Sequence, residues 1–149
     1  MQKSINFLSL IVMLCFLSSA SCEKEPVEPD GPDKLIVGTW VRTQFEFLNA
    51  KTNGVWVLWS IPCEMDDTEE FTSDGKWIYN AGANLCSGQT IVTGGGTYRL
   101  EDNGAKVILI GRNGETPKDI ETIDDQSLVL IHDMKDVDNS QIRTTYVRR

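Results

Sequence analysis

The sequence predicts an all-β protein: one antiparallel up-and-down β-barrel of about eight or nine strands, behind an N-terminal leader and a tether. Three observations carry this expectation. From Gly38 onward, short runs rich in β-branched and aromatic residues are broken by Gly, Asn and Asp turns. Several of those turns have the length and residue types of hairpin loops. No stretch keeps the period of a long amphipathic helix.

The runs can be taken in order. Residues 39–48 form the first. Asn53-Gly54 turns the chain into residues 55–61, whose Val-Trp-Val-Leu-Trp centre is apolar on both faces. Residues 69–72 and 76–80 flank Ser73-Asp74-Gly75, and Asp-Gly between two strands is a strong hairpin signal. Residues 97–100 and 106–111 flank a second Gly-containing turn, and residues 118–123 and 127–132 flank Asp124-Asp125-Gln126. Residues 141–148 close the chain after a polar loop at 135–140. With such short connections, neighbours in sequence become neighbours in space. Closure then removes the edges that invite aggregation. A two-layer sandwich built from the same strands is the alternative.

The first strand poses a problem of phase. Trp40 alternates with Arg42, Gln44 and Glu46, whereas Val41, Thr43, Phe45 and Phe47 make the more apolar face. Either a bulge shifts the register after Trp40, or the interior carries polar groups. Trp40 is structural in both cases.

Ahead of the strands, Lys3 is followed by a mostly apolar run at 5–17 and a small-residue exit ending at Cys22. A charged start, a short apolar core and small residues at the exit describe an export signal over residues 1–21. An uncleaved membrane anchor would need about 20 apolar residues, more than this run supplies. Ser19-Ala20-Ser21-Cys22 resembles a bacterial lipobox of the looser kind found in Bacteroidetes lipoproteins, with Ser19 where Leu is usual. The resemblance implies that Cys22 is acylated and binds the chain to the membrane; ordinary signal cleavage is the alternative. Residues 22–34 then form an acidic, Pro-rich tether, too poor in apolar side chains to offset chain entropy. An acidic start after the lipidated Cys resembles a surface-export signal. The expected location is therefore the outer-membrane face of a bacterial envelope, periplasmic or surface-exposed.

The net charge of −8 falls to −9 once Lys3 leaves with the leader. An acidic domain without a basic stripe argues against nucleic acid, whose phosphates require clustered Lys and Arg. It argues equally against electrostatic docking on anionic lipid.

Four cysteines are present. Cys15 leaves with the leader and Cys22 is assigned to lipid, so Cys63 and Cys86 remain as an even pair in an exported chain. That pairing suggests one disulfide, worth roughly 3 kcal/mol in the chain-entropy model. The pair lacks the His or Cys-x-x-Cys spacing of a zinc site.

Little in the chain suggests catalysis. The single His, His132, ends an apolar run and has no partner in view for nucleophilic machinery. Gly94-Gly95-Gly96 precedes a strand rather than a helix, so it reads as a strand start or bulge and not as a phosphate loop. The acids Glu64, Asp66, Asp67, Glu69 and Glu70 lack the spacing of a Ca²⁺ loop and read as a solvated face. No catalytic residue, cofactor or metal is expected.

The aromatics offer the better candidates. Trp56 and Trp59 stand three apart on one run, so they point to opposite faces. With Trp77 and Tyr79 on a nearby hairpin, and Phe45 and Phe47 on the first strand, they make a candidate surface for an apolar ligand or a sugar ring. Plain core packing is the competing explanation.

Gly38-Thr39-Trp40, the Cys63 and Cys86 pair, Asp74-Gly75 and Tyr146-Val147-Arg148 together resemble the lipocalin-like lipoproteins of Bacteroidetes. The resemblance covers residues 35–149 and implies a lipocalin-like barrel. In that plan Gly38 and Trp40 lie at the closed base, with Arg148 packed over the indole. It also implies non-catalytic binding of a small apolar or amphipathic ligand. A filled barrel that docks on an envelope protein or glycan is the alternative. Oligomeric state is not legible.

Overall fold

The computed structural model describes residues 30–59, 61–88, 93–134 and 140–149. The expected leader and the expected lipidation site Cys22 lie outside these residues. A helical turn at Pro32–Leu35 leads into nine strands. They are β1 (Gly38–Leu48), β2 (Val57–Leu58), β3 (Thr68–Phe71), β4 (Lys76–Asn80), β5 (Thr93–Glu101), β6 (Lys106–Gly111), β7 (Gly114–Ile123), β8 (Ser127–Met134) and β9 (Ser140–Arg148).

From β3 to β9 every strand pairs antiparallel with the next, and β1 joins both ends by pairing with β3 and β9. Eight strands therefore close into a barrel, with β2 as an extra strand beside the far end of β1. Closure through β1 and β9, over eight register pairs from Trp40↔Arg148 to Leu48↔Gln141, excludes the two-layer sandwich.

Local chemistry sets the connections. Between β3 and β4, Gly75 sits at φ +81° and its N–H donates to the Thr72 carbonyl at 3.0 Å, a conformation that L side chains resist. Between β7 and β8, Asp124 Oδ1 accepts from the backbone N–H groups of Gln126 and Ser127.

The phase problem of β1 resolves through a bulge. Arg42 pairs with Tyr146 and Gln44 with Thr145, so Thr43 is the extra residue. Residues opposite one another in a ladder share a face, and the face of Tyr146 and Thr144 is the interior. Trp40 and Arg42 therefore point inward before the bulge, and Phe45 and Phe47 point inward after it. Both sequence readings hold at once: there is a bulge, and the interior is partly polar.

Two expectations need correction. The apolar run 55–61 gives only the two-residue strand β2, and Val55, Leu58 and Trp59 are exposed. Only Glu46 and Phe47 of β1 offer it a ladder, and apolar content without a paired backbone does not make a strand. Conversely, Gly94-Gly95-Gly96 does not precede a strand but forms the entry of β5 itself, paired in continuous register with Tyr79, Ile78 and Trp77, and no bulge is present there.

The base of the barrel is solid. Ile36, Trp40, Phe71, Val107, Leu109, Leu128, Leu130 and Tyr146 form one buried cluster. Trp40 Nε1–H donates to the Ile36 carbonyl at 2.8 Å, and the Arg148 guanidinium lies 4.2 Å from the indole centroid. Arg148 also donates to the carbonyls of Val37, Leu35 and Asp125. A cation on a desolvated indole face with its N–H groups satisfied is a favourable pairing.

Candidate ligand site at the open end of the barrel

The strand ends opposite Trp40 leave space. Alternation along β4 turns Trp77 and Tyr79 inward, while the inward positions facing them on β5 are Gly96 and Gly94. A cavity of about 600 Å³ opens here, lined by Trp77, Gly94, Gly95, Leu109 and Lys118 together with Thr93, Thr116 and the β6–β7 turn. That volume lies within the usual range for small-molecule sites. Gly94 and Gly95 leave part of its wall without side chains. A Cβ on Gly96 would lie 1.9 Å from the Ile110 carbonyl oxygen, so that position admits only glycine. A Cβ on Gly94 would meet only the Tyr79 ring, at 3.8 Å.

A second recess of about 430 Å³ opens at the same end, bounded mainly by Phe47, Trp59, Met134 and Ile142. Trp59 packs edge-on against Phe45 and Phe47, with centroids 5.6 and 5.9 Å away. Between the two recesses, His132 stands opposite Ile142 on the inner face, and its Nδ1 lies 3.2 Å from the Pro117 carbonyl.

Beneath the cavity floor lies a buried polar layer. Glu69 accepts hydrogen bonds from the Tyr146 hydroxyl at 2.7 Å and from Trp77 Nε1–H at 3.0 Å. Lys118 Nζ lies 3.4 Å from the same carboxylate. Arg42 pairs with Glu64 and Asp67, and Asp67 accepts from the Tyr79 hydroxyl at 2.6 Å and the Gly82 N–H at 3.1 Å. Burial opposes the charge on Glu69, but Lys118, the bonds from Tyr146 and Trp77, and Arg42 outweigh it, so its pKa lies below the usual carboxylate value. Burial, and then the nearby Glu69 charge, push the Tyr146 hydroxyl well above its ordinary value.

The acidic cluster is thus not a solvated face. Asp67, just ahead of β3, and Glu69 on β3 are buried because both turn inward and meet cations, Arg42 from β1 and Lys118 from β7. Asp66 Oδ2 accepts from the N–H groups of Ala83 and Asn84. Together with the Cys63–Cys86 disulfide, whose Cα atoms are 5.0 Å apart, these contacts tie residues 63–67 to residues 82–86. Among the described residues, no group of three or more His, Cys, Asp or Glu is arranged to hold a metal ion.

The aromatics expected to form one surface occupy three places. Trp77 and Tyr79 are inside on β4, Trp59 is at the rim beside Phe45 and Phe47, and Trp56 is outside. There the Arg143 guanidinium lies 4.7 Å from the Trp56 ring and pairs with Glu46 at 2.8 Å. The cavity also draws on Lys118, Arg112, Thr93 and Thr116, which sequence reasoning passed over. One signal was there for Lys118: it shares the phase of inward-facing Ile120 on β7.

No family model matches the chain, and no curated protein matches it. Among solved structures, the chain is similar to a lipocalin-like protein from Bacteroides uniformis, with 15% identity and a TM-score of 0.49. The match covers 76% of this chain and 98% of that one.

Proposed function

We propose that this is a lipid-anchored lipoprotein of a bacterial envelope, held through acylated Cys22 at the outer membrane, that binds a small apolar or amphipathic molecule in the mouth of its barrel without performing chemistry on it. One observation supports the binding role above all: a preformed cavity of about 600 Å³ above a solid base. Its walls combine an indole, a bare glycine strip and a few polar groups, the mixture usual in small-molecule sites. The only histidine keeps its Nδ1 at a backbone carbonyl, and the described residues lining the cavity include no His, Cys or Ser and no carboxylate.

Native mass spectrometry of protein purified from its own host tests the binding role. A retained small molecule that disappears in Gly94→Leu supports it, and consistently bare protein counts against it. The anchor is tested separately, by labelled fatty acid that marks wild type but not Cys22→Ala.

A second reading, docking on an envelope protein or glycan, draws on the exposed apolar ribbon of Val55, Val57, Leu58 and Trp59. Patches of that kind mark interaction sites when contiguous. Loss of a co-purifying partner from Leu58→Lys, with small-molecule binding intact, would favour it.

A further inference from the structure

The mouth cavity differs in charge from the rest of the chain. The sequence holds 22 acidic and 14 basic residues, yet among the described residues the cavity lining includes two cations, Lys118 and Arg112, and no carboxylate. Lys118 reaches in from the inner face of β7, its side chain only 16% exposed. Its counter-ion Glu69 lies below it and is shared with Tyr146 and Trp77. An ammonium has three donors, and one partner at 3.4 Å does not use them all. Arg112 sits exposed on the β6–β7 turn, and among the described residues it makes no ion pair. Thr93, Asn113 and Thr116 add further hydrogen-bonding groups to the wall.

The opposite wall is flat. The Trp77 indole is fixed through its Nε1–H bond to Glu69, and its six-membered ring passes 4.0 Å from where a Cβ on Gly111 would stand. Gly94 and Gly95 continue that wall as bare backbone. A fixed aromatic face beside a side-chain-free strip suits a planar ring, and cations at one side suit an anionic group.

We propose that this cavity takes a small ring-bearing anion, with its ring against Trp77 and the Gly94-Gly95 strip and its acid group on the side of Lys118 and Arg112. A carboxylate, sulfonate or sulfate on a ring satisfies the same chemistry, whereas an uncharged apolar molecule gains only the ring contact. The proposal deepens the ligand-binding reading and rests on it.

Fluorescence titration with two probes of similar shape tests it: anionic anilinonaphthalene sulfonate and uncharged phenylnaphthylamine. The wild type is expected to bind the anion about tenfold more tightly at low salt, with the preference shrinking as salt rises. Arg112→Glu, on an exposed turn, should weaken the anion about fivefold and leave the neutral probe unchanged. Lys118→Met should weaken the anion at least as much; if that variant does not fold, Arg112→Glu decides alone. Equal affinity for the two probes, or a preference untouched by these variants, overturns the proposal and leaves the ligand-binding reading standing. Probe signal that survives Gly94→Leu overturns both, because the dye then sits elsewhere.

Discussion

The Tyr146 hydroxyl donates to Glu69 Oε1 at 2.7 Å in the middle of the barrel, joining the last strand to the third through a carboxylate that water scarcely reaches. A buried charge of this kind makes stability depend on pH. The folded pKa of Glu69 lies below its ordinary 4.5, so its contribution is fully present above about pH 4.5 and is lost as pH falls through the depressed folded value. Thermal melts from pH 7 down to 3 should show wild type losing stability below that point. Glu69→Gln should lower stability at pH 7 and flatten the acid branch. Removing one partner of a buried pair costs about 3–5 kcal/mol, and the retained amide oxygen should hold the loss to the lower end. An unchanged acid branch in the variant would place the sensitivity in other groups.

Gly38 and Arg148 make a tight pair at the base. Gly38 has φ +147°, and a Cβ there would lie 2.3 Å from Arg148 Nη1. That nitrogen is tied to the Val37 carbonyl at 2.7 Å and cannot swing aside without losing the bond. Gly38→Ala should therefore cost about 1–3 kcal/mol, read as a lower urea midpoint with unchanged slope. Trp40→Ala, which empties the centre of the core, should cost about 3–5 kcal/mol.

The disulfide closes a sequence separation of 23 residues. A Cys63→Ser, Cys86→Ser double variant should lose roughly 3 kcal/mol. Because Asp66 and Asp67 still hold residues 82–84 through backbone N–H groups, amide exchange should quicken mainly near residues 84–88. Exchange that quickens equally through the core strands would mean that the crosslink supports the whole barrel.

Gly94→Leu provides a variant in which stability and binding should separate. A Cβ at this position meets only the Tyr79 side chain, at ordinary contact distance, and Gly94 lines the cavity that the rest of a leucine is expected to fill. Its melting temperature should stay within a few degrees of wild type, a change of under about 1 kcal/mol, while retained or titrated small molecules are lost. A collapse in stability would show that the space is needed by the fold.

How far the sequence revealed these features depended on how local their causes are. The hairpin at Asp74-Gly75 is set by four residues, and it was legible. Closure by β1 against β9 joins residues about a hundred positions apart, and only the count of strands and the resemblance pointed to it. Thr43 misled strict alternation, since one extra residue inverts every side chain after it. Residues 55–61 misled it in another way: apolar content suggested a strand, but β1 offers only two ladder positions there. The cavity was hidden because its signal is an absence, the bare backbone of Gly94 and Gly95 opposite Tyr79 and Ile78. Glu69 and Lys118 were hidden because each is costly to bury alone and acceptable only with the other. That partnership spans two strands distant in sequence.

The helical turn Pro32–Leu35 sits at the Trp40 end, where Arg148 binds the Leu35 carbonyl and Pro32 lies against Gly104. Both recesses open at the other pole. The described chain thus enters the barrel through its sealed foot, so that substitutions in the Pro32–Leu35 turn act at one pole and leave the aperture at the other untouched.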